Sequence, residues 1–385
     1  MSNRRITISS STLLAVGATG LFVLLLWQLQ NLLVVLAIAV VLAATLAPLV
    51  ETGERVGLPR WLAVLFVYLG LLASLTSLGL IIGPPAIGQI QRLAGRLPVY
   101  LDVLQSLAEN WLMNAGLTEP GAIDQINQFL DLQALAAWAF RSSQQLAIRS
   151  YGVTRSFLGG VFNLILAVLL SAYMLAGSQQ LIEGITRVLP HPWDSRLAAQ
   201  VRPASQRMGG YIQGRVLVSA ILAIATSIGL SFLGLSEFSL GLGAIAGITN
   251  LIPFFGPVLG AIPALIVAIA QGGWTFLWVL LLFAIVQNVE TYVLDPLLVG
   301  TTVRVLPLYQ LLAVLGGAQV LGIIGALIAP PWVAGASVLL NNLYVQPKLL
   351  AEESSAENVT SSQQEGDNNW EASIQAPPKL PTSDE

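Results

Sequence analysis

Residues 239–271 form an uncharged, apolar run that is interrupted near its middle. A straight helix of this length would measure about 50 Å, whereas the hydrocarbon core of a bilayer is about 30 Å thick. Pro253, Gly256 and Pro257 lie near the middle, where proline removes a backbone donor and collides with the preceding turn. Freed backbone groups at membrane depth are tolerated only where protein or a water-filled cavity covers them. The run therefore predicts a broken helix beside a cavity.

The composition predicts an all-α, polytopic membrane protein. Of the 385 residues, 55% are hydrophobic and only 10% are charged, which is not the composition of a soluble domain. The chain has no cysteine, so disulfides, thiolate metal sites and a thiol nucleophile are excluded. His191, the single histidine, lies in a polar connector and is expected at the surface.

No motif predicts an enzyme or a cofactor. Gly241 and Gly243 lie inside an apolar span and lack the third glycine of a dinucleotide fingerprint. No GxxxxGK[ST] phosphate loop occurs, so this chain alone is not expected to be an ATP-driven pump. We expect no metal, no nucleic acid and no catalytic residue.

Hydropathy and charge divide the chain into four regions. These are N-terminal transmembrane helices (1–82), an amphipathic helical extramembrane region (83–156), a transmembrane transport core (157–350) and a disordered acidic tail (351–385). The tail carries eight acidic residues against Lys379 and cannot bury a core. Within the first and third regions, the predicted uninterrupted spans are residues 12–27, 32–50, 61–82, 157–175, 216–235 and 274–294.

The positions of the basic residues predict the orientation of the chain. Arg55 and Arg60 lie between the second and third spans, and the loop that ends at Arg215 is also rich in arginine. Basic connectors stay in the cytoplasm, so both termini are expected to be cytoplasmic, in the cell (inner) membrane.

Residues 83–156 carry an apolar stripe at helical spacing, formed by Leu97, Leu101, Leu104, Ala108 and Trp111. The favoured interpretation is a solvated helical hairpin that packs on the spans. The alternative is a surface that gathers substrate or joins copies of the chain into a homo-oligomer.

A second uncharged run, residues 308–340, has a similar length and again contains glycine and proline. Alignment of the two runs pairs two glycines and one amide: Gly247 with Gly316, Gly256 with Gly325, and Asn250 with Gln319. Paired interrupted segments in two halves of a chain indicate a transporter site.

Two topologies are compatible with these runs. In the first, each run crosses the membrane completely, which gives eight passes. In the second, each run is a re-entrant hairpin, which gives six passes and two hairpins. The connector between Asp295 and Pro307 lies outside in the first case and inside in the second. Arg304 lies in that connector and favours hairpins that enter from opposite faces.

The interrupted runs supply the candidate substrate-binding residues. Broken helices expose amide and carbonyl groups, and Thr249, Asn250 and Gln319 add neutral side-chain donors and acceptors. With the backbone around Pro253, Gly256 and Pro257, they would bind a small polar solute. Asn250 has an equal alternative role as a hydrogen-bonding link between helices. The Gly243/Gly247 and Gly256/Gly260 pairs are interpreted as close helix packing.

Glu290 and Asp295 are the candidate ion-coupling residues, for a proton or a sodium ion. A carboxylate in a span is costly unless it faces a cavity or reaches the interface. Gln287, three residues before Glu290, is positioned to hydrogen-bond it. The alternative places Glu290 at the headgroups or in a pair with Arg304.

The motif PxxGPxxGxxPA, residues 253–264, resembles the autoinducer-2 exporter family of membrane permeases. Further matching residues are Tyr211, Gly214, Glu290, Pro296, Gly300, Pro307, Gly316, Gly317, Gly322, Gly325 and Pro330. The resemblance covers about residues 10–348. It implies a helical inner-membrane protein, with export of autoinducer-2 reported for some members and sodium or lithium/proton antiport for others. Gln213 stands where many members carry an arginine, so the resemblance does not carry that charge over.

We therefore predict a secondary transporter that exports a small, polar, autoinducer-2-like molecule. Its expected partners are the solute, the lipid bilayer, a sodium ion or proton, and further copies of the chain. A sodium (lithium)/proton antiporter is the alternative, and a membrane scaffold or assembly factor ranks third.

Overall fold

The computed structural model describes residues 18–19, 21, 24–25, 28–114, 150–272, 274–300 and 306–353, and there it consists of helices and turns without a strand. Six described helices are long and apolar enough to cross a membrane, which confirms the polytopic all-α class. Most of the span predicted at 12–27, together with residues 115–149, Arg304 and the tail beyond residue 353, lies outside the described residues. The helices are α1 Gln30–Arg55, α2 Arg60–Asn114, α3 Ser150–Ala176, α4 Ser178–Thr186, α5 Trp193–Leu230, α6 Ser239–Asn250, α7 Phe255–Gln271, α8 Thr275–Val289 and α9 Pro307–Leu340.

Arg60 ties four helices together at one end of the molecule. Its Nε donates to the carbonyl of Leu175 (2.9 Å), and its Nη2 donates to the hydroxyl of Ser178 (2.8 Å). Its Nη1 lies 3.2 Å from a carboxylate oxygen of Glu54. The end of α1, the start of α2 and the α3/α4 junction therefore meet here. We call this the basal end and the opposite one the distal end.

Helix α2 runs far beyond the span predicted at 61–82. It contains 55 residues and continues through Pro84 and Pro85, so the helix does not stop at the predicted end of the span. The far half of α2 stays helical because it buries apolar side chains. Leu93 belongs to a distal apolar cluster that includes Phe238 and Leu242. The described part of the amphipathic region thus packs on the core.

Helix α5 is the central helix, and part of it was predicted as a loop. The loop expected to end at Arg215 is helical from Trp193 onward, and α5 continues as a π-helical turn over Ser231–Leu235. Arg202 pairs with Glu51 of α1 (3.0 Å), and Gln213 donates to the carbonyl of Thr45 (2.6 Å). Helix α5 therefore runs antiparallel to α1 from the basal end.

The first interrupted run folds as a hairpin, which we call the first hairpin (239–271). Helix α6 ends at Asn250, and α7 begins at Phe255 after a turn in which Phe254 has a positive φ of 66°. The two arms touch closely, since a Cβ on Gly260 would lie 2.8 Å from the Cα of Ala246. The 12 residues of α6 span only about 18 Å, too short for one pass.

The second interrupted run also folds back on itself, and we call it the second hairpin (307–340). Its helix is interrupted at Gly322, whose φ of 64° and ψ of −145° suit only glycine. A Cβ on Gly317 would collide with the carbonyl of Gly325, and the reverse also holds. Residues eight apart lie about 12 Å apart along a straight helix, so this contact requires a reversal of direction.

The two hairpins point in opposite directions. The open end of the first is distal, because the amide of Gly241 donates to Gln89, far along α2 (2.7 Å). The open end of the second is basal, because Asn342 donates to Gln200 near the start of α5 (2.6 Å). Each run therefore folds back on itself, and the two open toward opposite ends of the bundle; entry from opposite faces of the membrane stays a prediction.

Candidate functional site

A closed triangle of polar side chains lies where α5, α6 and α8 meet. Arg215 places Nη1 2.9 Å from Oε1 of Glu290, and its Nη2 donates to Oδ1 of Asn250 (3.3 Å). The amide of Asn250 in turn donates to the same Glu290 oxygen (3.1 Å). Each member of this triangle contacts both of the others.

All three side chains of the triangle are buried. Arg215 is 4% exposed, Glu290 3% and Asn250 2%. A second carboxylate, Asp295, lies 3.5 Å from Nη1 of Arg215, and its side chain is 41% exposed. Two acidic groups thus share one guanidinium, and the four residues together carry an excess of one negative charge.

Local backbone structure brings these side chains together. Asn250 is the last residue of α6, so the break that follows it directs the negative end of the α6 dipole toward the Arg215 guanidinium. Glu290 and Asp295 lie on the π-helical continuation of α8, Glu290–Gly300. A Cβ on Gly214 would collide with the carbonyl of Leu298, so glycine allows α5 to approach this segment.

The triangle lies within the apolar length of the bundle. A Cβ on Gly209 would collide with the carbonyl of Ala44, which fixes the level of α5 against α1. Arg215 is six residues further toward the distal end, about 9 Å along the axis. It therefore lies well inside the 26-residue α1, away from both of its ends.

Helix α5 also carries buried polar atoms that lack a partner. The described residues offer no hydrogen-bond partner to Nε of Arg215, Oγ of Ser219 or Oγ1 of Thr226. The three residues are spaced at i, i+4 and i+11, which places them on one face of the helix. That face runs from the triangle toward the distal end.

The structure brings three of the residues predicted from the sequence into the cluster, and the other five lie outside it. Asn250, Glu290 and Asp295 lie in the cluster. The hydroxyl of Thr249 donates within its own helix to Ile245, 2.8 Å away. Gln319 is exposed near the tip of the second hairpin.

The turn of the first hairpin contains the other three predicted residues. Pro253 is buried in it, Gly256 packs against the carbonyl of Thr249, and Pro257 is half-buried. Gly243 and Gly247 pack on Ser227 and Ala223 of α5, which confirms close packing for that pair. His191 is exposed, as expected.

Arg215 is the member of this cluster that sequence reasoning did not single out. It was assigned to a basic loop, and the partner proposed for Glu290 was wrong: Gln287 donates to Thr291 instead (3.3 Å). The pattern that could have revealed Arg215 is the i, i+4 series of Arg207, Tyr211 and Arg215, which continues into the apolar span.

A cavity of about 760 Å³ lies at the basal end, between the second hairpin and α5. Its wall includes Arg207 and Gln206 of α5, Tyr309 from one arm of the hairpin, and Ser337 and Asn341 from the other. None of the six residues predicted to bind substrate is part of this wall.

Broken helical segments and a buried ion pair inside a helical membrane bundle are features that many membrane transporters share. A sequence profile described as "AI-2E family transporter" matches residues 17–344. The chain therefore belongs to the AI-2E transporter family, which the motif at 253–264 resembles, and it is a multi-pass membrane protein.

Known proteins are similar to this chain over most of its length. "Putative transport protein YrrI" of Bacillus subtilis is 27% identical over 320 residues, covering 81% of this chain and 86% of that protein. "Putative permease PerM" of Escherichia coli K12 is 27% identical over 311 residues (78% and 84%). "AI-2 transport protein TqsA" of the same strain is 25% identical over 320 residues (81% and 87%).

Proposed function

We propose that this chain is a secondary transporter that exports a small polar solute, similar to autoinducer-2, across the plasma membrane. Its main support is the triangle of Arg215, Glu290 and Asn250, buried beside the turn of the first hairpin. The name of TqsA supports the solute class, because that relative is called an AI-2 transport protein.

The cost of the ion pair supports a functional role. Desolvating two charges costs several kcal/mol per ion, and a buried pair often stabilises no more than apolar side chains of the same volume. Inside a membrane, such charges are usually part of substrate or ion pathways. The pair at Arg215 and Glu290 is therefore expected to serve transport more than stability.

Glu290 and Asp295 are proposed to couple an ion to the movement of the solute. A proton or a sodium ion that binds these carboxylates would compete with Arg215 for them. Released from Glu290, the guanidinium could bind an oxygen atom of the solute, and its unpartnered Nε is available for the same purpose. Ion binding and solute binding would thus be linked through one side chain.

The solute is proposed to bind at the turn of the first hairpin. Asn250 and Thr249 would supply side-chain groups there, and the turn would supply backbone groups near Pro253, Gly256 and Pro257. Gln319 is proposed as the contribution of the second hairpin. Because Gln319 is exposed in this conformation, its participation requires the two hairpins to move relative to each other.

A sodium (lithium)/proton antiporter is the second candidate function. One observation favours it: Glu290 and Asp295 share one guanidinium, which leaves an excess negative charge. That charge suits a cation, whereas export of the solute does not require it. Antiport would use these two carboxylates without the amides near the hairpin tips.

We also propose that the basal end faces the cytoplasm. Arg55 and Arg60 lie at this end, as does the arginine-rich start of α5. Basic residues are retained on the cytoplasmic side of a membrane. Both termini would then be cytoplasmic.

The test is transport by the full-length protein in proteoliposomes. Efflux of autoinducer-2 is measured with and without a sodium or proton gradient, and an internal pH dye reports antiport. We expect gradient-dependent efflux that Glu290→Gln abolishes, whereas Gln287→Ala, changed three residues away, retains it. A sodium-dependent pH response without efflux would favour the antiporter, and unchanged efflux in Glu290→Gln would remove Glu290 from the mechanism.

A further inference from the structure

We propose that the basal cavity between α5 and the second hairpin is the binding vestibule for a small, oxygen-rich monoanion, with Arg207 as the selecting charge. This inference rests on the proposed transport function and names the place where the solute enters from the basal side. It also adds a preference for an anion at the entrance, whereas the triangle carries charges of both signs.

The described residues of the cavity wall include a positive charge and no negative one. Among the described lining residues, Arg207 is the charged one, and no described carboxylate pairs with it. A guanidinium presents five donors in a planar fork that matches carboxylate or phosphate oxygens. A half-buried arginine without a counterion is therefore suited to an anion.

Neutral polar groups surround this charge. The cavity wall carries the phenol of Tyr309 and the amides of Gln206, Asn341 and Asn342. The hydroxyl of Ser337 donates within its own helix to the carbonyl of Ala334 (2.7 Å). Side chains of this kind can hydrogen-bond several hydroxyl groups of one molecule. The wall thus favours a polyhydroxylated anion over a bare apolar acid.

The backbone of the second hairpin reinforces the preference for an anion. Its first arm begins at Pro307, between the lining residues Leu306 and Tyr309, so the positive end of that helix dipole faces the cavity. The second arm does not end there, because it continues as a π-helix over Asn341–Val345. No opposing negative helix end is therefore found among the described lining residues.

The cavity and the buried triangle lie along one face of α5, and a hydrogen bond lies between them. Arg207, Tyr211 and Arg215 occupy successive turns of α5. The amide of Gln310 donates to the hydroxyl of Tyr211 (3.0 Å), and Tyr211 is only 3% exposed. This contact joins α5 to the second hairpin one turn above the cavity, and in this conformation it forms the inner barrier of the vestibule.

A single introduced cysteine can test the binding site, because the chain has none of its own. Ser337→Cys places a thiol on the cavity wall of the purified full-length protein, and a small thiol reagent reports its accessibility. The probe is gluconate, a polyhydroxylated monoanion, and its neutral counterpart sorbitol is the control ligand. Arg207→Gln removes the charge, and Arg196→Gln on the exposed part of α5 is the matched control variant.

We expect gluconate to slow the labelling of Ser337→Cys about tenfold at ten times its dissociation constant, as simple occupancy requires. Sorbitol should protect far less. Arg207→Gln should remove the protection by gluconate, and Arg196→Gln should preserve it. Equal protection by the two probes, no protection by either, or protection that survives Arg207→Gln would overturn the proposal.

The barrier is tested with a second reporter, Ser219→Cys, which lies beyond Tyr211 on α5 and is 4% exposed in the native protein. We expect it to react slowly. Gln310→Ala should accelerate its labelling, whereas the labelling of Ser337→Cys should not change. Equal rates at Ser219→Cys with and without Gln310→Ala would show that this contact is not the barrier.

These labelling experiments are independent of transport. Protection by gluconate together with absent efflux would keep the binding site and reject the transporter. Efflux without any protection would keep the transporter and reject this vestibule.

Discussion

The tips of the two hairpins come from similar sequences but have different surroundings. The first tip follows Asn250, which is 2% exposed and bonded to both Arg215 and Glu290. The second tip is Gly322, and the side chains on either side of it are open: Val320 is 78% exposed and Ile323 77%. One tip closes on a buried ion pair, and the other has no charged group beside it in the described structure.

The comparison separates two kinds of information in the sequence. Glycine and proline determine where the backbone of each run reverses direction, and both runs do reverse. The chemistry of each tip is determined by the helix that packs against it. Helix α5 brings Arg215 to the first tip. It contacts the second hairpin away from its tip, where Met208 lies against Gly335.

The largest expected effect comes from breaking the ion pair at the first tip. Arg215→Gln or Glu290→Gln leaves a buried charge without its partner, which typically costs about 3–5 kcal/mol of unfolding free energy. The double variant Arg215→Gln/Glu290→Gln leaves only Asp295, whose side chain is 41% exposed, without the guanidinium, and it should be more stable than either single variant. Thermal unfolding in detergent of all four proteins measures the coupling.

The same double-mutant cycle can contradict the account. If the two single variants lose unfolding free energy additively in the double variant, the two charges do not interact, as expected for residues that are far apart. The buried triangle would then be absent in the native protein.

The second comparison tests the aligned amides at the two tips directly. Asn250→Ala removes hydrogen bonds to two charged groups, which should cost about 1.5–3 kcal/mol. Gln319→Ala changes an exposed side chain and should stay within about 0.5 kcal/mol. Unfolding midpoints of the two variants measure the difference, and equal losses would show that the two tips have similar surroundings.

The third comparison sharpens the description of the second tip. Gly322→Ala places a Cβ at a backbone conformation that only glycine adopts freely, at a cost of roughly 1–3 kcal/mol. Gly316→Ala is the matched control, because a Cβ there meets no atom within 4 Å and the residue is helical. That control should be neutral or stabilising. A neutral Gly322→Ala would indicate that the helix is not reversed at this residue.

Much of the fold could be predicted from local sequence. The interrupted runs predicted that both helices break, since proline and glycine act on the backbone at their own positions. They left hairpins and complete passes both open. The cost of a carboxylate in a span identified Glu290 in the same way. The length of α2 could not be predicted, because Pro84 and Pro85 are tolerated where the helix beyond them buries Leu93.

The central residue of the site could not be predicted, because its role depends on tertiary contacts. Arg215 resembles the other arginines before the fifth span, and only packing against α6 and α8 buries it. The cavity around Arg207 has the same origin, since α5 and the two arms of the second hairpin form its wall. Spacing along α5 alone gave no partner for either arginine.

The central claim is that each hairpin returns to the face of the membrane from which it entered. Single cysteines at four exposed positions test it in intact cells and inverted vesicles: Ser236 and Gln271 flank the first hairpin, and Leu308 and Lys348 flank the second. A membrane-impermeant thiol reagent should label the first pair only from outside and the second pair only from the cytoplasm. If the members of either pair are labelled from opposite faces, that run crosses the membrane and the account is wrong.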